Sequence, residues 1–345
     1  MPQPVAIVKR QVSMVKRVII DTDPGVDDTA AILLALASPE LQVDALTISY
    51  GNGSMEQCEA NARRILAVAG RADIPVYPGA RGPLLRTPNE GWAGHIHGGD
   101  ALGGEASGTA VGTDEGGGPA QHAAVEIARR VVEAPGEITV LALGRMTNAA
   151  LALRLEPGIA EALAQVVVMG GAVRVPGNVS PVATANIHED PESAAILYDS
   201  GVEIAQVGLD VCDHCGLSDE QFRRLEECEA AAVQLLVSAS GYTRAAYRRL
   251  GRLAEGEAVR YNDVPAVAYA IDPTLMDVER LPVAVDIGSE LTRGQTVVDW
   301  YGMTGRAATV DVCLDVDAER LTEMVVERLV GYAWPPSAGG SKGSV

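Results

Sequence analysis

The chain has 345 residues, 47% apolar, 21% charged and only 4% aromatic, with a formal net charge of −19. That aliphatic content suffices for a sizeable core built from Ala, Val, Leu and Ile and excludes global disorder. The acidic balance repels nucleic-acid backbones and anionic membranes, so a polymer phosphate partner is excluded and a small-molecule ligand is expected.

Residues 1–16 carry scattered basic residues and no compact apolar segment before a small-residue cleavage site. They read as an N-terminal extension and not as a secretion signal. Val18–Ile20 reads as a buried strand, followed by a turn and a helix over Thr29–Ala37. A strand Val43–Ser49, a helix Gln57–Ala69 and a short strand Pro75–Tyr77 follow. Residues 79–119 are dense in Gly, Pro and Thr and read as an irregular stretch ending in a surface loop. Helix Ala120–Glu133 leads into strand Ile138–Leu143, and helix Asn148–Leu153 into strand Val166–Met169. Glu192–Asp199 reads as a helix and Glu203–Val207 as a strand. Ser218–Leu253 is strongly helical, and Ser218 with Gln221 three residues on forms a capping box. Helix Asp263–Asp272, strands near Val283–Ile287 and Ala308–Leu314, and helix Glu319–Val330 complete the pattern. The Gly/Ser/Pro-rich tail 335–345 is expected to be disordered.

This alternation predicts an α/β fold: a single domain over 17–334 with an open, mainly parallel sheet and helices on both faces. No stretch is long and apolar enough for a transmembrane helix. Five scattered Cys fit a reducing cytoplasm better than a disulfide framework. Cys212 and Cys215 form a CxxC, but no second ligand pair for zinc accompanies it.

The segment Val18-Ile-Ile-Asp21-Thr-Asp23-Pro-Gly-Val-Asp27-Asp28 carries the most chemistry. An apolar strand ends and four carboxylates follow within eight residues. Two carboxylates about 4 Å apart repel by roughly 4 kcal/mol at an effective dielectric near 20, so such crowding needs a cation, protonation or solvent. An acidic loop that merely starts a helix is the alternative, because negative charge is favoured at a helix N-terminus. If a metal binds here, ligands that are all oxygen favour Ca²⁺ or Mg²⁺ over zinc. The dinucleotide fingerprint and the Walker lysine are both missing, and carboxylates repel phosphate.

With its opening Asp21-Thr-Asp23-Pro-Gly-Val-Asp27-Asp28 the chain resembles the inosine–uridine nucleoside hydrolase family. Further segments match in the same order: Ser49-Tyr-Gly-Asn52, His97-Gly-Gly-Asp-Ala-Leu-Gly103, Leu143-Gly-Arg-Met-Thr147-Asn148, Val168-Met-Gly-Gly171, Gly177-Asn178-Val-Ser-Pro181, Asn186 to Glu192, and Asn262-Asp263 to Tyr269. The resemblance implies a Rossmann-like nucleoside hydrolase fold and calcium-dependent cleavage of a ribonucleoside, purine or pyrimidine, by water to ribose and free base. It implies Asp23 as calcium ligand and as base toward water, with Asp28, Asp263 and the carbonyl of Thr147 as the other ligands. Asp27, Asn52, Asn178 and Asn186 would hold the ribose hydroxyls, Met169 would pack near the sugar, and Asp21 would support the loop. The family also implies a homodimer or homotetramer serving nucleoside salvage.

Two positions depart from the family pattern. Asn262 replaces a His that assists the leaving base, and a carboxamide does not act as a general acid. Thr184 replaces a Glu that holds the 5′-hydroxyl. His95, His97, His188 and Trp92 are candidates for the missing acid, Trp92 also for stacking on the base, and His97 and Asn186 join Asp23 as candidate catalytic residues. Tyr242, Tyr247 and Arg244 are further candidates to reach the base. The departures leave two alternatives: a calcium-dependent nucleoside-binding protein with weak or lost catalysis, or a hydrolase for a 5′-modified nucleoside.

Overall fold

A computed structural model describes residues 15–88, 93–104 and 121–335. In chain order the elements are β1 (Lys16–Thr22), α1 (Val26–Leu36), β2 (Leu41–Ile48), α2 (Met55–Val68), β3 (Val76–Pro78), α3 (Gly94–His97), α4 (Ala123–Glu133), β4 (Ile138–Ala142) and α5 (Thr147–Leu155). Then come α6 (Ile159–Ala162), β5 (Gln165–Met169), α7 (Ala185–His188), α8 (Pro191–Tyr198), β6 (Ile204–Val207), α9 (Leu209–Cys212), β7 (Gly216–Ser218) and α10 (Asp219–Glu226). The last are α11 (Ala231–Leu250), β8 (Glu257–Arg260), α12 (Val264–Ile271), β9 (Met276–Leu281), β10 (Val283–Val285), β11 (Thr296–Val298), β12 (Val310–Val316) and α13 (Ala318–Gly331).

Eight strands form one sheet in the order β3-β2-β1-β4-β5-β6-β12-β9. All neighbours are parallel except β9, which runs antiparallel to β12 at one edge. The strands alternate between two cores, as a two-residue period requires. Val18, Ile20, Val167 and Met169 point into a core shared with α1, α2, α11, α12 and α13. Ile19, Val166 and Val168 point into the opposite one, shared with α4, α5 and α8. Helices therefore cover both faces of a single α/β domain, as the alternating sequence pattern predicts.

Helix α1 is buried along all eleven residues and packs against α11, α12 and α13. It starts at Val26, three residues before the predicted Thr29, because the Asp28 side chain accepts from the Gly25 N–H and closes the first turn. The predicted helix Ser218–Leu253 is two helices, α10 and α11, and its capping box is present. Two small antiparallel pairs, β7 with β8 and β10 with β11, lie outside the main sheet.

The cysteines are free. Cys212 Sγ donates to the Asn262 carbonyl, and Cys215 is buried. No helix among the described residues is long and apolar enough to cross a membrane.

Candidate active site

Strand order reverses next to β1: the chain proceeds to β2 and β3 on one side, then returns to place β4 on the other. Such a switch point opens a crevice at the carboxyl ends of the two strands, the usual ligand position in open α/β sheets. Here the crevice receives the loop after β1 and the segment Leu143–Arg145 after β4. Leu143 N–H donates to the Asp21 carbonyl at 2.8 Å and ties the two together. A cavity opens on this point, lined by Asp23, Asp27, Asn52 and Asp263 together with His97, Asn186 and Asn262.

The acidic loop is buried. Asp21 Oδ1 accepts from Thr47 and Asn148, each at 2.8 Å, while Oδ2 has no partner. Burial pushes its carboxyl up to about 7, against those two hydrogen bonds. Asp23 Oδ2 accepts from the Asn52 N–H at 2.7 Å and from Arg145 Nη1. Asp28 accepts from Gly25 N–H and Asn52 Nδ2, each at 2.9 Å, and from Thr22 Oγ1. Asn52 thus bridges two of the carboxylates. Asp27 Oδ1 has no hydrogen-bond partner and lies 3.7 Å from His97 Nδ1. His97 Nδ1 accepts from the Val26 N–H at 3.3 Å, so the neutral ring carries its hydrogen on Nε2.

Asp263, at the N-cap of α12, completes the group. Ligand atoms of Asp27, Asp28 and Asp263 lie within 4.8 Å of one another. Burial, then the neighbouring carboxylates Asp27, Asp28 and Asp23, holds the Asp263 carboxyl well above its ordinary range. Asp23 is pushed up by burial, with Arg145 opposing; Asp27 is pushed up by burial, with His97 opposing. Crowded, desolvated carboxylates with an orphan oxygen and no soft ligand fit a hard divalent cation.

On the opposite wall, Asn186 Nδ2 donates to the carbonyls of Leu143 (2.5 Å) and Met169 (3.0 Å). Asn178 Oδ1 accepts from the Ala185 N–H at 3.0 Å. Thr184 is buried with its hydroxyl accepting from the Gly171 N–H at 3.0 Å. Asn262 Nδ2 donates to Tyr247 at 3.3 Å, and its buried Oδ1 has no partner.

The cavity brings together Asp23, Asp27, Asn52, His95, His97, Met169, Asn178, Thr184, Asn186, Tyr247, Asn262 and Asp263, and Asp28 stands directly behind. Thr147 does not line it. Its hydroxyl donates to Asp190 at 2.6 Å, and it is the first residue of α5, where a carbonyl is directed along the helix. The lining residues from that segment are Leu143 and Arg145.

His188 is also outside the lining. Arg244 stacks on Phe222 with its guanidinium 4.2 Å from the ring centre, and Tyr242 is exposed. Trp92 lies outside the described residues. Sequence reasoning missed Arg145, which is buried and paired with both Asp23 and Glu189. Its signal was a lone Arg placed directly after the apolar strand end Leu141-Ala-Leu-Gly144, where a buried cation requires a carboxylate partner.

Residues 18–323 match the family described as inosine-uridine preferring nucleoside hydrolase. The chain belongs to this family. It is an N-glycosyl hydrolase of the class that hydrolyses ribonucleosides. Among relatives of this nucleoside hydrolase, an inosine-uridine preferring nucleoside hydrolase of Leishmania major is 33% identical over 92% of this chain and 98% of its own. The pyrimidine-specific ribonucleoside hydrolase RihA of Citrobacter koseri is 34% identical over the same shares. A solved plant nucleoside hydrolase, PpNRh1, superposes with a TM-score of 0.82 at 35% identity, covering 92% of this chain and 99% of that one. A purine-preferring ribonucleoside hydrolase from Gardnerella vaginalis gives 0.84 at 30% identity, with 92% and 98% covered.

Proposed function

We propose that this nucleoside hydrolase is calcium-dependent and cleaves purine or pyrimidine ribonucleosides to ribose and free base, with Asp23 as the base toward water. The observation that carries this reading is the convergence of Asp23, Asp27, Asp28 and Asp263 on one cavity, with an orphan oxygen on Asp27. Asp28, Asp263 and Asp23 are the proposed ligands. The carbonyl contribution passes from Thr147 to Leu143, whose oxygen meets Asn186 inside the cavity. Calcium bound there would grip a cis-diol and a water and acidify that water only modestly, so a carboxylate base is still required.

The remaining groups act on the sugar and the base. Asp27, Asn52, Asn178 and Asn186 orient the ribose hydroxyls, and Met169 packs beneath the sugar. Carboxylates around the ring stabilise the positive charge that develops as the glycosidic bond stretches. Asn262 presents an unpaired oxygen suited to an N–H of the base, and His97, which lies beside Asp27 in the cavity, is the candidate acid for the leaving base. Cytoplasmic placement, a role in salvage and a dimeric or tetrameric assembly belong to the same proposal, the last readable by light scattering.

The test is release of reducing sugar from a panel of purine and pyrimidine nucleosides, after chelation and after adding calcium back. Activity lost on chelation and restored by calcium supports the proposal; full activity in excess chelator contradicts it. A second reading, nucleoside binding with weak turnover, is favoured by Arg145 engaging Asp23. Tight calorimetric binding of a nucleoside without base release would select it.

A further inference from the structure

We propose that Arg145 and Glu189 form a charge exchanger that sets how tightly this site takes a divalent cation. The inference rests on the metal reading above and goes beyond it by giving the cation an internal competitor. Arg145 is the guanidinium that pairs with the acidic cluster among the described residues, and its side chain is 2% exposed. One arm, Nη1, donates to Asp23 Oδ2. The other edge donates to Glu189 Oε2, Nε at 2.8 Å and Nη2 at 2.7 Å. The guanidinium therefore spans a proposed metal ligand and a carboxylate outside the acidic cluster.

The backbone is shaped to admit this pair. Gly51 has φ +153°, and a Cβ there would lie 2.2 Å from both Arg145 Nη1 and Asp23 Oδ2. Gly144 clears the other side, where a Cβ would come within 2.4 Å of Asp23 Oδ1. A guanidinium and a divalent cation cannot both take full advantage of one buried carboxylate, since their mutual repulsion is poorly screened there. Glu189 resolves the competition: it keeps a partner for Arg145 when Asp23 turns to the cation, so no buried charge is stranded. Arg145 is thus a positioning residue acting through Asp23.

Two substitutions should move cation affinity in opposite directions. Arg145→Met keeps the length and removes the competitor, so calcium should bind at least tenfold more tightly. Glu189→Gln removes the alternative carboxylate and leaves the guanidinium to Asp23, so calcium should bind roughly threefold to tenfold more weakly. A merely structural role predicts weakening in both.

The experiment is calorimetric titration of calcium into the full chain, stripped by chelator, for wild type, each variant and the double variant. Melting curves with and without calcium verify that each protein is folded. A larger calcium-induced rise in Tm for Arg145→Met than for wild type supports the exchanger. Should Arg145→Met fail to fold, Arg145→Gln, which keeps a neutral donor for Asp23, decides: tighter binding supports the exchanger, unchanged or weaker binding overturns it. Wild-type binding that is unchanged or weakened in a folded Arg145→Met overturns the exchanger and leaves the metal reading standing. No binding by wild type or any variant overturns both.

Discussion

Asp23 sits between two glycine backbones at the end of β1, buried and already accepting from Asn52 and Arg145. Asn at this position keeps an acceptor for the Asn52 N–H but takes no proton from water. Asp23→Asn should lower kcat roughly 10³-fold while far-UV circular dichroism and Tm stay near wild type. Near-normal turnover in the folded variant would assign the base to another group. Thr184 makes a second prediction. Its hydroxyl serves the Gly171 N–H, so loss of a substrate 5′-hydroxyl strands no buried carboxylate. The kcat/KM for 5′-deoxyinosine should stay within about tenfold of that for inosine, whereas a buried Glu built to hold the hydroxyl would impose a penalty of roughly 10⁴-fold. With Asn262 unable to protonate the base, p-nitrophenyl riboside should turn over faster than inosine wherever chemistry limits the rate. The loop carboxylates were legible in the sequence because they adjoin one another, and Asp263 was legible through the resemblance of its segment to the family. Arg145 and Leu143 were not legible as site residues. Which groups after a strand turn inward depends on where the helix begins, and α5 begins at Thr147, beyond the cavity-lining Leu143 and Arg145.

At the scale of elements, the strands flanking the site were legible as continuous apolar runs, and helix positions followed within a few residues. The short pieces were not. Strand β8 has four residues and β7 three, too few for a period to show. Strand β9, Met-Asp-Val-Glu-Arg-Leu, has a single buried residue because it lies at the sheet edge, where charge is tolerated and discourages further pairing. Helix α5 is fastened to the site through Asn148, and that joint can be tested. Asn148 Nδ2 donates to Asp21 at 2.8 Å and to the Ile48 carbonyl at 3.1 Å, and Oδ1 accepts from the Ala80 N–H at 2.9 Å. The residue is fully buried, so Asn148→Ala removes three hydrogen bonds at the ends of β1, β2 and β3 and leaves Thr47 as the donor to Asp21 Oδ1. Urea denaturation should show a loss of about 3 kcal/mol or more. A loss below about 1 kcal/mol would mean that water replaces the amide.

The whole molecule carries −19 of formal charge and gathers four buried carboxylates, Asp23, Asp27, Asp28 and Asp263, at one cavity. Any cation that binds only the folded state raises its stability by mass action. At a free calcium concentration of 100 Kd the gain is about 2.7 kcal/mol, or roughly 4 °C in Tm for a chain of this size. Added sodium at the same ionic strength should not reproduce it, because screening acts on exposed charge more than on buried pairs. The fold class was legible at this scale from the strand–helix alternation alone, and the switch point beside β1 explains why the acidic motif faces a ligand cavity and not solvent. The most direct test of the central claim is a product balance in phosphate-free buffer with calcium and a ribonucleoside. Free base is followed by ultraviolet absorbance and ribose by reducing-sugar assay. The account predicts base and ribose appearing in a 1:1 ratio at a rate unaffected by adding phosphate. Base release that requires phosphate, or no release from any purine or pyrimidine ribonucleoside with calcium present, would contradict it.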